Sequence, residues 1–125
     1  AAVSDFKPKN PVNKKIKKGT GFNNIELIPN KDILLDISKT KSLSQILVGF
    51  ALESDNERNN AISKLTTKNL DLVVLNSLND KDAGFGIDTN KITLIDSDRN
   101  IDEFESKSKY DVAKDIFNKI LKIKK

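Results

Sequence analysis

Two apolar runs, "QILVGF" (Gln45–Phe50) and "LDLVVL" (Leu70–Leu75), constrain this chain's fold more than anything else in it. Near-continuous runs of this kind mark strands covered on both faces. Between them lies a polar segment in which Ala61, Ile62 and Leu65 recur at helical spacing. Strand, helix and strand in that order, with both strands buried, predict an α/β fold with a mostly parallel sheet.

The rest of the chain fits around that unit. Ala1–Val3 reads as a strand end, and Lys7–Gly21, punctuated by Pro8, Pro11, Gly19 and Gly21, as a mobile loop. Ile25–Ile28 reads as a short strand. Asn30 reads as the N-cap of a helix running to about Ser38, with Ile33, Leu34 and Ile37 on one face. Asn76–Asn90 is turn-rich, Lys91–Ile95 is a strand, and Ile101–Glu105 its antiparallel return. Ser108 and Asp111 form a capping box for a last helix, in which Val112, Ala113, Ile116, Phe117, Ile120 and Leu121 make one apolar stripe. The expected architecture is a Rossmann-like three-layer fold that ends in an antiparallel hairpin and a C-terminal helix.

Composition removes whole classes of chemistry. The 125 residues contain no cysteine and no histidine, so thiolate sites, Cys nucleophiles and His-based triads are excluded within this chain. No apolar run approaches the ~20 residues that span a bilayer, and no signal-peptide pattern opens the sequence, so a cytoplasmic protein with no membrane partner is expected. A chain without methionine is expected to be a processed product or an excised domain. The net charge of +4 is uneven: Lys7, Lys9, Lys14, Lys15, Lys17, Lys18 and Lys31 face only Asp5 and Glu26 in the first quarter. Such a segment suits an anionic partner, and it also suits a solubilising loop.

Ligands of open α/β sheets sit beyond the carboxyl ends of the strands. Asp5 after the first strand, Phe50 ending the second and Asn76 ending the third would then share one edge. "KKIKKGTG" (Lys14–Gly21) could close over phosphates, with lysines supplying charge and glycines supplying hinges, although it lacks P-loop order. Lys64 and Lys68 sit four apart on one helix. They repel by a few tenths of a kcal/mol unless an anion lies between them, and they also complement the helix dipole. "GFGIDTN" (Gly84–Asn90) reads as structural.

In order and spacing, "AAVSDF", "KIKK", "NKDIL", "GFALE", "KNLDLVVLN", "GFGIDTNKITLI" and "SKYDVA" resemble the C-terminal part of phosphopantothenoylcysteine synthetase, over essentially the whole chain. The resemblance implies that residues 1–125 are the C-terminal portion of one synthetase domain, an incomplete domain on its own. It implies a coenzyme A biosynthesis ligase that joins 4'-phosphopantothenate to L-cysteine through an acyl-nucleotidylate made from CTP, with Mg²⁺ or Mn²⁺. It further implies a homodimer, with an exposed edge near "GFGIDTNKITLI" and the following hairpin, and a phosphopantothenoylcysteine decarboxylase as fused or separate partner. No flavin is expected in this segment. By the same resemblance Lys15 is the catalytic loop lysine. Ala1, Asp5, Lys15, Lys31, Asp32, Ile33, Leu34, Phe50, Lys64 and Lys68 surround the nucleotide, and Asp5 holds the ribose or the metal. Lys31 stands where the family usually has proline, which removes a fixed φ beside the nucleotide.

Two other functions compete. A basic nucleic-acid-binding module would use residues 7–18, but only Phe6 and Phe22 are nearby for stacking and no RNP-like motif is present. A nucleotide-binding scaffold without turnover would bind CTP and carry out no cysteine-dependent chemistry.

Overall fold

The computed structural model describes residues 3–19, 24–79 and 86–123. Its centre is a four-stranded sheet of order β3-β4-β6-β7, built from β3 (Val48–Glu53), β4 (Leu72–Ser77), β6 (Ile92–Asp96) and β7 (Ile101–Glu103). β3 and β4 run parallel around helix α2 (Glu57–Thr67), while β4–β6 and β6–β7 are antiparallel. The sheet is therefore mixed rather than mostly parallel. A parallel return needs a crossover of a dozen or more residues, usually a helix, and no helix separates β4 from β6 among the described residues. The hairpin and the C-terminal helix stand as the sequence predicts.

The three layers hold. On one face Leu34 of α1 (Ile33–Thr40) and Ala61, Ile62 and Leu65 of α2 pack on Ala51, Val73, Leu75 and Ile95. On the other, Val112, Ile116, Ile120 and Ile123 of α3 (Lys109–Ile123) pack on Leu72, Val74, Ile92 and Leu94. β4 is covered on both faces, as its apolar run requires. β3 is not: Gly49 and Ala51 are buried, but Phe50 and Leu52 on the α3 side are exposed. The predicted stripe of α3 divides in the same way. Val112 and Ile116 turn inward, whereas Phe117 and Leu121 stay in solvent. Adjacent columns of a helix point about 100° apart, so a flat sheet buries one of them and not the other.

The N-terminal segment forms a separate antiparallel ribbon, β1 (Phe6–Pro8) with β2 (Leu27–Pro29), in register Phe6↔Pro29. Most of the strand expected at Ala1–Val3 falls on Ala1 and Ala2, which lie outside the described residues. Val3 is not in a strand, and β1 begins at Phe6. Lys7 and Pro8, read as loop, belong to β1. A second small ribbon, β5 (Thr89–Asn90) with β8 (Lys107–Ser108), leads into α3. There the Ser108 hydroxyl accepts from the Asp111 amide at 3.1 Å and donates to its carboxylate at 2.7 Å, closing the predicted cap.

Candidate functional site

Six of the sequence-predicted residues come together where α1 begins beside α2 and β3. The N-cap of α1 is Asp32, not Asn30: its Oδ1 accepts from the Leu35 amide at 3.0 Å, satisfying one of the free donors of the first turn. Asn30 does different work. Its amide donates to the Asp5 carbonyl and its side chain to the Ser4 carbonyl, both at 2.7 Å, so it ties the start of β1 to the entrance of α1. Ile33 and Leu34 follow the cap, and Leu34 turns onto the core.

Gly49 explains how α1 can lie so close to β3. A Cβ there would fall 2.6 Å from Leu70 Cδ1 and 3.0 Å from Leu34 Cδ2. Gly49→Ala is expected to cost about 1–3 kcal/mol, the usual range for overpacking a filled core. Because Leu34 must move, the variant should also loosen the α1 entrance. Urea denaturation measures the first effect and amide exchange at Leu34–Asp36 the second.

The two lysines are placed by the end of α2. Lys68 is its C-cap, and Asn69, at φ +46°, takes the left-handed position that follows. The Leu70 amide reaches back to the Leu65 carbonyl at 2.9 Å and the Asn69 amide to the Thr66 carbonyl at 3.2 Å, the paired bonds of a Schellman ending. Leu65 and Leu70 are both core residues, which fixes that ending and with it the direction of Lys68. Lys68 Nζ sits 2.8 Å from Asp32 Oδ2, and Lys64 Nζ donates to the Phe50 carbonyl at 2.6 Å. The hydrogen bond from Lys68, followed by the Leu35 amide, holds the Asp32 carboxyl below the usual range. Lys31 lies one residue before the cap. It is mostly exposed and paired at 2.8 Å with Asp36; the hydrogen bond between them, helped by their opposite charges, raises the Lys31 pKa and lowers that of Asp36.

Of the other predicted residues, Phe50 meets the cluster only through its carbonyl, which accepts from Lys64. Phe50 does not end its strand: it pairs with Val74 midway along the edge strand β3, its ring exposed, and Asn76 pairs with Leu52 two residues on. Asp5 precedes β1, whose ribbon is separate from the central sheet that holds Phe50 and Asn76, so the three do not form one sheet edge. Among the described residues Asp5 is linked to the cluster through Asn30. Lys15 is exposed in a loop that folds over a cavity of about 560 Å³ lined by Pro8, Pro11, Val12, Ile16 and Ile25. Among the described residues no hydrogen bond or ion pair joins Lys15 to the cluster, and no three carboxylates gather to hold a metal. The residues that hold the cluster together, Asn30 and Asn69, were not legible as site residues; asparagine at such positions reads first as a cap or a turn.

Known proteins are similar to this chain in sequence and in fold. The chain matches the family described as DNA/pantothenate metabolism flavoprotein C-terminal domain over residues 1–123. It is 42% identical, over its full length, to 30% of the coenzyme A biosynthesis bifunctional protein CoaBC of Bacillus subtilis (strain 168). It is 56% identical, over 97% of its length, to 34% of a cysteine/cysteine sulfinic acid decarboxylase of an unknown prokaryotic organism. The crystallised C-terminal domain of a CoaBC protein superposes with a TM-score of 0.71 at 31% identity, over 96% of this chain and 50% of that one. The chain thus spans about a third of the curated relatives it matches and half of that crystallised domain. It belongs to the DNA/pantothenate metabolism flavoprotein C-terminal domain family, the phosphopantothenoylcysteine synthetase part of the bacterial bifunctional coenzyme A biosynthesis proteins.

Proposed function

We propose that the chain supplies the triphosphate-binding half of a ligase that activates 4'-phosphopantothenate with CTP and passes the acyl group to L-cysteine. The observation that carries this reading is the pair Lys64 and Lys68, brought by one helix end to the entrance of α1, each resting on an oxygen acceptor. A triphosphate would replace those acceptors with its own oxygens. The exposed Ile33 beside the cap offers apolar contact to the nucleoside, while Leu34 is turned onto the core and the Phe50 ring stands on the α3 side of the sheet.

The chemistry needs little else from these residues. Carboxylate attack on the α-phosphate forms the acyl-cytidylate and expels pyrophosphate; the cysteine amine then attacks the acyl carbon and CMP leaves. Negative charge builds on phosphate oxygens in the first step, and fixed ammonium groups stabilise it. Lys15, on a loop between glycine- and proline-rich turns, is suited to close over those oxygens once the nucleotide is bound. A divalent ion accompanying the nucleotide would sit on the phosphates themselves. The described carboxylates do not form a centre for it. Flavin has no part in this chemistry, and the decarboxylation named for the 56%-identical relative concerns a protein about three times as long. A homodimer is part of the same reading, with the exposed edge strand β7 as its pairing surface. Sedimentation should give twice the chain mass, falling to the single mass when Ile101 is replaced by proline.

Calorimetric titration of CTP and of ATP tests the nucleotide reading. Saturable CTP binding with ATP weaker is the expected result. The absence of binding by either nucleotide, both to this chain and to the complete domain, would overturn it. In the complete domain Lys15→Ala should lower kcat at least tenfold with little change in CTP affinity, because a loop cation that engages only during reaction contributes to the transition state alone.

A further inference from the structure

Lys64 and Lys68 are like charges one turn apart, and an arrangement of that kind is held only at some cost. Each is instead occupied. Lys64 is on a neutral carbonyl, but Lys68 is on a full negative charge, Asp32 Oδ2 at 2.8 Å. The two oxygens of Asp32 have separate duties: Oδ1 caps α1 through the Leu35 amide, and only Oδ2 meets Lys68. We propose that Asp32 is a positioning residue that competes with phosphate for Lys68, so that an incoming phosphate must displace Oδ2 while Oδ1 keeps the helix capped. The inference rests on the nucleotide reading for its ligand class, but its geometry stands without the nucleoside.

The magnitudes allow this exchange. The Asp32 and Lys68 side chains are 41% and 25% exposed, so their pair is a surface-type contact, weak enough to be exchanged. A phosphate group carries more charge and more acceptor oxygens than a carboxylate and can outcompete it for one ammonium group. While no ligand is bound, Asp32 keeps Lys68 directed at the α1 entrance instead of leaving its long side chain free, which lowers the ordering cost when phosphate arrives.

Asp32→Asn separates the two duties, because asparagine caps a helix as well as aspartate does but carries no charge. The probe is inorganic pyrophosphate, titrated by calorimetry into the 125-residue chain, its Asp32→Asn and Lys68→Ala variants and the double variant. Asp32→Asn should tighten pyrophosphate by about two- to fivefold, as expected for releasing an exposed ion pair. In the Lys68→Ala background the same substitution should change little. An equal gain in both backgrounds would mean that Asp32 acts only as a general negative charge, and the inference would fall. It would also fall if Asp32→Asn left affinity unchanged or lowered it with the helix content intact by circular dichroism, or if no variant bound pyrophosphate. A Lys68-dependent gain without any preference for CTP would uphold the competition and remove the nucleotide reading. CTP preference with no Lys68-dependent gain would do the reverse.

Discussion

Replacing Lys119 with methionine is expected to destabilise the fold by about 3 kcal/mol at neutral pH, the low end of the cost of leaving a buried charge without its partner. Lys119 of α3 lies 2.8 Å from Asp96 Oδ2 at the end of β6 and 2.9 Å from Asp102 Oδ2 in β7. The Asp96 and Lys119 side chains are only 8% and 12% exposed, so methionine fills the stem but leaves the carboxylate short of charge. Asn100 remains, donating its amide at 2.9 Å and its side chain at 3.1 Å. Those neutral bonds replace part of the loss, which is why the low end applies.

The pH dependence identifies the cause. Burial pushes the Asp96 carboxyl up, but the hydrogen bonds from Lys119 and Asn100 outweigh it and hold the group below its ordinary range. Its contribution is therefore present above the unfolded value, near ~3.9, and lost as pH falls through the lower folded value. Burial likewise lowers Lys119, and its two carboxylate partners outweigh that and raise it. Its contribution is complete below the unfolded value, ~10.4, and is lost as pH rises through the folded one. Between those limits the wild type should hold a plateau. The Lys119→Met deficit should be largest there and should shrink at the acid end, because in the variant burial acts on Asp96 without the opposing lysine and favours its protonated form. Urea midpoints from pH 4 to 9 measure this, and a deficit independent of pH would assign the effect to packing instead.

How much of this was legible follows from which interactions are local. The α3 cap depends on Ser108 and Asp111, three residues apart, and the β4 run is apolar at every buried position, so both could be read directly. β3 was read as doubly covered because its run looked like that of β4. Its Phe50 and Leu52 are exposed because coverage depends on what else packs there, which no local pattern carries. The sense of β6 depended on the absence of a crossover helix after β4, and a turn-rich stretch does not state whether the chain returns parallel or antiparallel. Among the site residues, resemblance brought Asp32, Lys64 and Lys68 together before any geometry did. What sequence could not supply was their pairing, because Asp32 and Lys68 are distant in the chain and meet only once Leu34, Gly49 and Leu70 have packed. Lys31 shows the same limit: in place of proline it reads as a lost constraint, yet its bond to Asp36 supplies another.

The largest functional effect should come from Lys64→Ala with Lys68→Ala, which is expected to weaken CTP at least a hundredfold. A charge-assisted hydrogen bond contributes about 1.5–3 kcal/mol, and two of them lost exceed the ~2.7 kcal/mol that a hundredfold represents. The fold should tolerate the change. Neither lysine is a core residue, the Schellman ending is made by backbone groups, and the ion pair given up is of the exposed kind, worth up to ~1 kcal/mol. Lys64→Ala alone should cost more than Lys68→Ala alone, because the Lys68 contact with phosphate is made at the expense of its pair with Asp32, while the Lys64 contact displaces only a neutral carbonyl. The control is Lys114→Ala with Lys122→Ala on α3, which removes the same net charge away from the α1 entrance. Retained CTP affinity in that control ties binding to position. An equal loss in the two double variants, falling steeply with added salt, would instead mean diffuse attraction to a basic surface, and the ligase reading would give way to a nucleic-acid or polyanion partner.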